Sequence, residues 1–309
     1  MSKLFAVFGN PVLHSKSPQL FNSVFENSHV DAYYTRIRVD KSEDIIRSIR
    51  LLNIIGSNVT TPYKETVLPL LDELSPDAEQ IGAVNTILND NGHLKGYNTD
   101  YLGVIKSIEE AGIEISGKRC LILGAGGASR AAVYGLKKSG ADVYIANRTV
   151  GKSIEIANKF GCMAIDFDDI REFSDIDLVI STLLPNVFLP DISWDRKIKL
   201  FLDANYRKSM LFEDFQRIKV KVLLGDRWLI HQAIESFSIF TGFEPSLELL
   251  NESININLDY SNARAKYIDL NKRNDLNDER FDLLVAAGGL NDKDITRIID
   301  EEKCKAINC

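Results

Sequence analysis

The chain has 309 residues, which predicts two domains because one domain averages roughly 100–200 residues. Hydrophobic residues make up 45% of the chain and charged residues 26%, a composition typical of a soluble globular protein. The net charge of −7 and the lack of a basic stripe argue against nucleic acid as a partner. A membrane span is also disfavoured, since no apolar run approaches the ~20 residues that it needs.

The first hundred residues alternate between short apolar runs and amphipathic stretches. Strands are predicted at Leu4–Phe8, Tyr33–Val39, Gly56–Thr60, Val84–Asn89 and His93–Tyr97. Helices are predicted at Ser17–Asn27, Ser42–Leu52, from Pro62 onward and around Asp77–Ile81. Asn91-Gly92, between the last two strands, is a strong signal for a two-residue hairpin turn.

From residue 100 onward the alternation continues and indicates a second unit. Helices are predicted at Asp100–Ala111, Ser129–Lys138, Lys152–Phe160 and Leu229–Gly242. Strands are predicted at Arg119–Leu123, Asp142–Ala146, Leu178–Ser181, Lys199–Asp203 and Lys221–Leu224. Such alternation implies right-handed crossovers and a parallel sheet covered on both faces, so the fold class is α/β. The charged segment after residue 258 is predicted to be helical.

A glycine-rich segment follows the strand that ends at Leu123 and opens the next helix. It reads Gly124-Ala125-Gly126-Gly127-Ala128-Ser129. Gly124 permits a tight turn, Gly126 lets the backbone approach a pyrophosphate, and Ser129 is small enough for close packing of helix and strand. The N–H groups at the start of the helix would face the phosphates. A turn without a ligand is the alternative, but the strand–turn–helix context favours a dinucleotide site.

Asn147-Arg148-Thr149 follows the second strand of this unit. Sites for NAD usually carry an acidic residue there, about 20 residues past the glycines. Asn147 is neutral instead, and Arg148 could pair with a 2′-phosphate through its guanidinium, although an exposed surface arginine is also common. The missing acid and the arginine together favour NADP over NAD.

Three polar segments precede the glycine-rich turn, each at a strand end or a helix start, where an open α/β sheet presents side chains to ligands. They are residues 9–18 (GNPVLHSKSP), residues 58–64 (NVTTPYK), and residues 82–86 (GAVNT) with 96–100 (GYNTD). In this order ahead of GAGGAS and NRT, they resemble the motifs of the shikimate dehydrogenase family. The similarity extends from about residue 5 to residue 245.

This resemblance implies a reaction and a set of site residues. The family reduces 3-dehydroshikimate reversibly to shikimate with NADPH, in the chorismate route to aromatic amino acids. By position in the motifs, Lys64 and Asp100 would form the catalytic pair. The substrate-binding positions would be Ser15, Ser17, Asn58, Thr60, Asn85, Tyr206 and Gln232. The cofactor positions would be Gly124 to Ser129, Asn147, Arg148, Thr149 and Gly225.

Elementary chemistry agrees with the lysine–aspartate pair. Hydride transfer from a secondary alcohol needs a group that accepts the hydroxyl proton and returns it in the reverse direction. A lysine ammonium stabilises negative charge on that oxygen, and Asp100 would keep Lys64 charged and oriented. Taken alone, each residue has an ordinary interpretation: Lys64 as a solvated helix residue, Asp100 as a helix cap, and Ser15 with Ser17 as caps of the next helix. The four ordered motifs argue against coincidence.

Two loops and the tail depart from the family pattern. Residues 181–185 (STLLP) replace a segment that usually reads like Asn-Ala-Thr-Ser, which leaves the cofactor contacts of this loop open. Residues 203–207 (DANYR) lack the usual proline-containing turn, so Tyr206 could be placed differently. The tail from about residue 252 has no recognised counterpart. It could dimerise, dock a partner or be loosely ordered.

The sequence therefore predicts two α/β domains with a cleft between them. Residues 1–100 with 228–250 would form the substrate-binding domain, residues 101–227 a Rossmann-type NADP-binding domain, and residues 251–309 a C-terminal extension. A quinate or aminoshikimate dehydrogenase of the same family, or a non-catalytic NADPH-binding regulatory protein, are the alternatives. The cysteines are scattered along the chain, which predicts reduced thiols in a cytoplasmic protein and no metal site; they are Cys120, Cys162, Cys304 and Cys309. The protein is expected to be a monomer or a homodimer.

Overall fold

A computed structural model describes residues 2–172, 175–187, 189, 194, 197–256, 260–272, 280–288 and 290–308. Cys309, named above, lies outside these residues. The chain divides into two compact units, which we call the first unit (Met1–Asn98 with Ala233–Cys309) and the second unit (Thr99–Gln232). A search of the described helices finds none with the length and apolar character to cross a bilayer.

Helices and strands are numbered in chain order. The strands are β1 (Lys3–Gly9), β2 (Ala32–Arg38), β3 (Gly56–Val59), β4 (Glu73–Leu74), β5 (Thr86–Asp90), β6 (His93–Tyr97), β7 (Arg119–Leu123), β8 (Asp142–Ala146), β9 (Met163–Ile165), β10 (Leu178–Ser181), β11 (Leu200–Asp203), β12 (Lys221–Leu223), β13 (Ala265–Asp269) and β14 (Leu283–Ala287). The helices are α1 (Ser17–Asn27), α2 (Ser42–Leu51), α3 (Pro76–Ile81), α4 (Asp100–Glu110), α5 (Gly127–Lys138), α6 (Val150–Phe160), α7 (Met210–Arg217), α8 (Gly225–Thr241), α9 (Leu247–Ser253) and α10 (Asp292–Asn308).

The described strands of the first unit form one mixed sheet in the order β13-β14-β2-β1-β3-β5-β6-β4. β1 pairs in parallel with β2 and β3, and β5 runs antiparallel to β3 and β6. The face of α2 that carries Ile45 and Ile49 is buried against this sheet with β1 and β14 residues such as Phe8 and Leu284. The apolar spacing that predicted α2 therefore also places it on the core.

The prediction of a helix from Pro62 onward is wrong. Residues 62–67 form turns, followed by a short 3₁₀ helix at Leu68–Leu70. The Lys64 carbonyl oxygen accepts the Val84 N–H at 2.7 Å instead of a helical partner four residues on. Pro69 has no N–H to donate to Glu65, so a second helical bond is also missing. The segment that carries Lys64 is therefore a turn that is held by a hydrogen bond to a distant part of the chain.

The tail is not helical throughout, which corrects the prediction from its charged composition. It contains β13 and β14, and β14 pairs in parallel with β2, so that the tail extends the sheet of the first unit. Every residue of β14 is buried. A short apolar run that is buried on both faces shows no alternation, which is why periodicity does not separate it from a helix.

The second unit is a doubly wound α/β fold, and the predicted fold class is confirmed. Six described strands form an all-parallel sheet in the order β12-β11-β10-β7-β8-β9. Counted from β7, this is the order 3-2-1-4-5-6 read from the other edge, and the direction of winding reverses between β7 and β10. Ligands of such sheets bind beyond the carboxyl ends of the strands at this switch point.

Candidate active site

The glycine-rich turn lies at the switch point of the second unit. Gly124 has φ +111°, and a Cβ added there would lie 2.3 Å from Thr182 Oγ1, so only glycine fits. At Gly126, by contrast, none of the described atoms lies within 4 Å of an added Cβ. The backbone there is open, and the approach of Gly126 to a pyrophosphate stays a prediction.

Thr182 is a residue of this turn that sequence reasoning missed. Its hydroxyl donates to the Leu123 carbonyl oxygen at 3.1 Å and lies 2.7 Å from Ser129 Oγ, which accepts the Gly126 N–H at 3.2 Å. Ser129 is fully buried, so its side chain shapes the turn from inside. A polar residue directly after β10, the strand beside β7 in the sheet, was the available signal. The rest of that loop is apolar, and Leu184 is 71% exposed.

The segment Asn147–Thr149 connects β8 to α6, at the same edge of the sheet as the glycine turn. Asn147 donates through Nδ2 to the Thr149 carbonyl oxygen at 3.1 Å, which holds the segment closed. Arg148 between them is exposed. The segment therefore offers a guanidinium and no carboxylate where a dinucleotide ribose would lie, which fits a 2′-phosphate.

Gly225 is the first residue of α8, just after β12, and Tyr206 lies in the loop after β11. A Cβ added at Gly225 would lie 2.2 Å from the Ala204 carbonyl oxygen, so the close approach of the start of α8 to the loop after β11 requires glycine. Tyr206 is half-buried. Its neighbour Asn205 donates through Nδ2 to the Leu183 carbonyl oxygen at 2.8 Å, which ties the Tyr206 loop to the loop after β10.

In the first unit, Ser15 and Ser17 form a buried hydroxyl pair. Their Oγ atoms are 3.3 Å apart, and Ser15 Oγ accepts the Ser17 N–H at 3.4 Å. The residue that caps α1 is Lys16, and its side chain makes no capping bond. The two hydroxyls therefore face each other, an arrangement suited to the two oxygens of one carboxylate.

Asn58 and Asn85 lie in a buried polar network. Asn58 Nδ2 is within 3.1 Å of three oxygens: the Asn85 carbonyl, Thr86 Oγ1 and Ser236 Oγ. Asn58 Oδ1 accepts the Tyr34 hydroxyl at 2.7 Å. Both N–H bonds of the Asn58 amide are therefore used inside the protein. Sequence reasoning missed Ser236, which lies 178 residues from Asn58 in the chain.

Thr60 and Lys64 follow β3, and both side chains are half-buried. Tyr63, next to Lys64, is buried and donates its hydroxyl to the Val39 carbonyl oxygen at 2.7 Å. Together with the bond from the Val84 N–H to the Lys64 carbonyl oxygen, this contact fixes the backbone on both sides of the lysine. Lys64 therefore extends from a turn that tertiary bonds hold in place.

Asp100 and Gln232 both belong to the second unit, although the sequence analysis assigned them to the substrate-binding domain. Asp100 is buried in the first turn of α4. The preceding residue, Thr99, donates through Oγ1 to Gln232 Oε1 at 3.3 Å, and Gln232 Nε2 donates to the Leu229 carbonyl oxygen at 3.1 Å. Gln232 therefore contacts Thr99, the residue next to Asp100, within the second unit. Lys64, the other predicted member of the catalytic pair, belongs to the first unit.

Comparison with known proteins assigns the family. Residues 7–87 match the shikimate dehydrogenase substrate binding domain, and residues 106–191 match the shikimate / quinate 5-dehydrogenase family. The shikimate dehydrogenase (NADP(+)) of Pyrococcus abyssi is 37% identical over 261 residues, which cover 80% of this chain and 96% of that protein. This chain belongs to the shikimate dehydrogenase family.

Solved structures of shikimate dehydrogenases share the fold. The enzyme of Aquifex aeolicus has a TM-score of 0.76 at 33% identity and covers 82% of this chain and 98% of its own. The enzyme of Thermus thermophilus, solved in complex with NADP(H) and shikimate, has a TM-score of 0.74 at 29% identity and the same two coverages. The resemblance stated from the motifs is therefore confirmed.

A charged cluster joins α4 to α8 in the shikimate dehydrogenase fold of this chain. Arg227 Nε donates to Glu110 Oε2 at 3.0 Å, and His231 Nε2 lies 3.1 Å from the same oxygen. Burial tends to raise the pKa of Glu110, but the hydrogen bonds from Arg227 and His231 lower it below its ordinary value. Burial lowers the pKa of His231 below 6.5, more than the hydrogen bond with Glu110 raises it.

Acidification should therefore destabilise the second unit through His231. Since the folded pKa of this histidine is depressed, the unfolded chain takes up the proton first, and stability is lost as pH falls from about 6.5 through the folded pKa. We expect the unfolding midpoint of the wild type to drop between about pH 7.5 and 5.5 more steeply than that of His231→Gln. Thermal melts at a series of pH values measure the two slopes, and equal slopes would contradict this account.

Proposed function

We propose that this protein catalyses the reversible NADPH-dependent reduction of 3-dehydroshikimate to shikimate, with Lys64 and Asp100 as its catalytic pair. The observation that carries the proposal is the similarity over 96% of the length of an NADP-dependent shikimate dehydrogenase. The glycine turn of the second unit and the buried polar side chains of the first unit support it. NADP, when bound, supplies the hydride donor or acceptor, and the residues of this chain bind, orient and move a proton.

The substrate carboxylate is bound by the hydroxyl pair of Ser15 and Ser17. The Ser15 hydroxyl, which donates to Ser17 Oγ in the structure, rotates toward the substrate, so that each hydroxyl donates one hydrogen bond to a carboxylate oxygen and the ring is oriented by its acidic end. Asn85, Gln232 and Tyr206 hold the ring hydroxyls, since a polyol needs a donor or an acceptor for each hydroxyl. Thr60, half-buried beside the turn of Lys64, completes this set.

Lys64 moves the proton of the reacting hydroxyl. In shikimate oxidation its amine accepts the hydroxyl proton as the carbonyl forms, and in the reverse direction its ammonium returns that proton to the developing alkoxide. Asp100, the other member of the proposed pair, orients the lysine. Fixing the Lys64 backbone by the Val84 N–H and the Tyr63 hydroxyl limits the positions that the flexible side chain reaches.

Asn58 acts by holding the neighbouring residues and contributes little direct bonding to the substrate. Its two amide N–H bonds are already used by the Asn85 carbonyl oxygen and by the hydroxyls of Thr86 and Ser236. Removing the amide would take one hydrogen-bond partner from each of these buried groups, which also bond to the Val59 N–H, to Asn85 Oδ1 and to each other. The residue carried over from the family as a ligand is thus better explained as the support of Asn85.

The cofactor is held by the turn of residues 124–129 and by residues 147–149. The open backbone at Gly126 and the N–H groups that begin α5 face the phosphates, and Arg148 pairs with the 2′-phosphate. The exposed position of Arg148 and the absence of an acidic residue in this segment both favour the phosphorylated cofactor.

The proposed function is tested with purified protein, shikimate and NADP+, by following nicotinamide absorbance. We expect turnover with shikimate and a kcat/KM that is lower for quinate, whose extra ring hydroxyl would leave polar groups unpaired in a site built for shikimate. Aminoshikimate is assayed in parallel. A protein that binds NADPH but oxidises none of the three compounds would overturn the assignment and favour a regulatory role.

Replacing Arg148 with alanine should reduce the preference for NADP over NAD. The lost charge-assisted contact with the 2′-phosphate raises the KM for NADP+ about tenfold, while the KM for NAD+ changes by less than about twofold. Arg217→Ala is the matched control, because this arginine is also exposed in the second unit and pairs with Asp214 three residues away. Equal loss with both cofactors would contradict the proposed contact.

A further inference from the structure

The C-terminal tail brings a buried carboxylate to the loop that carries Ser15. Glu302 on α10 is 1% exposed, and its Oε2 accepts the backbone N–H groups of Val12 and Leu13 at 3.0 and 3.1 Å. These residues lie in the loop between β1 and α1, which has no regular secondary structure to pair its backbone. Both are buried, so Glu302 satisfies two donors that would otherwise lack a partner.

The backbone that Glu302 holds at Val12 and Leu13 is hydrogen-bonded to Ser15, the first residue of the hydroxyl pair. The Val12 carbonyl oxygen accepts the Ser15 N–H at 3.0 Å, so the peptide unit held by Glu302 also closes the turn onto Ser15. On the other side, Arg36 donates through Nε and Nη2 to the Ser15 carbonyl oxygen at 2.9 and 2.6 Å. Ser15 is therefore fixed by one group on β2 and one group on the tail.

The tail is docked independently of this contact, and the charge of Glu302 has a counterpart. Arg38 Nε, on β2, lies 3.4 Å from Glu302 Oε1. β14 pairs with β2, and the Phe281 carbonyl oxygen accepts the hydroxyls of Tyr33 and Thr35. The pairing of β14 with β2 holds the tail on the first unit, so the Glu302 side chain is not needed for that and can instead hold the loop between β1 and α1.

We propose that Glu302 is a positioning residue for substrate binding, which holds the loop of Ser15 and Ser17 in the geometry that receives the substrate carboxylate. This proposal rests on the proposed function, because that function supplies the carboxylate. Glu302 does not touch the substrate, so its effect passes through the backbone of Val12 and Leu13. Charge-assisted hydrogen bonds of this kind are the strong ones in proteins, and their loss from a binding loop weakens binding about tenfold or more.

The test compares the wild type with Glu302→Gln, Glu302→Ala and the control Glu301→Gln. Glutamine keeps the side-chain volume and one acceptor oxygen, so this variant retains the packing of α10 even where alanine impairs folding. Glu301 is the neighbouring carboxylate, 47% exposed, and lies 4.0 Å from Arg297. For Glu302→Ala we expect the KM and the calorimetric Kd for shikimate to rise about tenfold, and for Glu302→Gln, which keeps an acceptor oxygen but loses the charge, we expect a smaller rise. For both variants kcat and the KM for NADP+ should stay within about twofold. Glu301→Gln should match the wild type.

Hydrogen exchange measures the anchorage without any substrate. The Val12 and Leu13 amides should exchange faster in both Glu302 variants than in the wild type and in Glu301→Gln. Unchanged exchange of these amides would overturn the anchorage of the loop by Glu302. Faster exchange with an unchanged Kd for shikimate would overturn the role in binding. A fall in kcat and thermal stability without a change in this Kd would do the same. A wild type that does not turn over shikimate would overturn the proposed function instead, while the exchange data still decide the anchorage.

Discussion

Replacing Lys64 with alanine should lower kcat for shikimate oxidation by about 100- to 10,000-fold, because the reacting hydroxyl loses the group that accepts its proton. The Kd for NADPH should stay within about twofold of the wild-type value, since the glycine turn and Arg148 belong to the second unit. Steady-state kinetics and a fluorescence titration with NADPH measure the two quantities. Lys64→Met, which keeps the apolar stem, should be impaired to a similar degree.

The control for this prediction is Lys41→Ala, an exposed lysine of the same unit at the start of α2. It should retain the wild-type kcat, which excludes a general effect of removing positive charge. If Lys64→Ala kept more than about a tenth of the activity, the lysine would not be the proton-transfer group. The regulatory alternative predicts indifference to Lys64, so the same measurement separates an enzyme from a sensor.

Replacing Gly124 with alanine should weaken NADP+ binding about 100-fold. The residue has φ +111°, where an L side chain costs about 1–3 kcal/mol. The added Cβ would also lie 2.3 Å from Thr182 Oγ1, so the turn or β10 must move. A displacement of about 1 Å in a binding loop is enough to cost a hundredfold in function. The Kd from calorimetry and the unfolding midpoint, expected to fall by about 3–10 °C, are the measurements.

Gly117→Ala is the matched control for backbone strain. This glycine also has a positive φ, +69°, but no described atom lies within 4 Å of an added Cβ, and it precedes β7 instead of following it. We expect Gly117→Ala to lower the unfolding midpoint and to leave the Kd for NADP+ within about twofold. A similar loss of NADP+ binding in both variants would show that strain anywhere in the unit, and not the shape of the turn, controls the cofactor site.

Local chemistry explains why some elements could be predicted from the sequence. The Asn91-Gly92 hairpin needs two positive φ values, and the structure has 50° and 97° there. β7, β8 and β10 begin and end at the predicted residues, since each is a short apolar run bounded by turn residues or glycine. The glycine turn between β7 and α5 is in the same class, because Gly124 is required by backbone conformation.

Other features depend on contacts between residues far apart in the sequence, and the pattern around each residue does not contain them. The side chain of Asn58 is of a type that binds ligands, but its amide already accepts a hydrogen bond from Tyr34 and donates one to Ser236. Thr182 belongs to the glycine turn only because β10 lies beside β7. Glu302 is one acidic residue among several on α10, and its burial becomes visible only when the helix is placed.

The boundary between the two units could be predicted only approximately for a related reason. The predicted limits near residues 100 and 228 differ from the observed ones by a few residues, yet this shift moves Asp100 and Gln232 into the second unit. Their neighbours determine where they belong, through the bond from Thr99 to Gln232 and the packing of Gly103 against Trp228. Sequence periodicity predicts where a helix lies. It does not predict which of the two units the end of a helix packs against.

The pairing of β14 with β2 has a consequence for how the chain acquires its shape. The second unit is one continuous stretch that is synthesised before residues 265–287, whereas the sheet of the first unit lacks two strands until those residues are made. Contacts such as that of Val12 with Glu302, 290 residues apart, close a very long loop and are slow to form. We therefore expect maturation in two phases, with nucleotide affinity arising before affinity for the acid substrate.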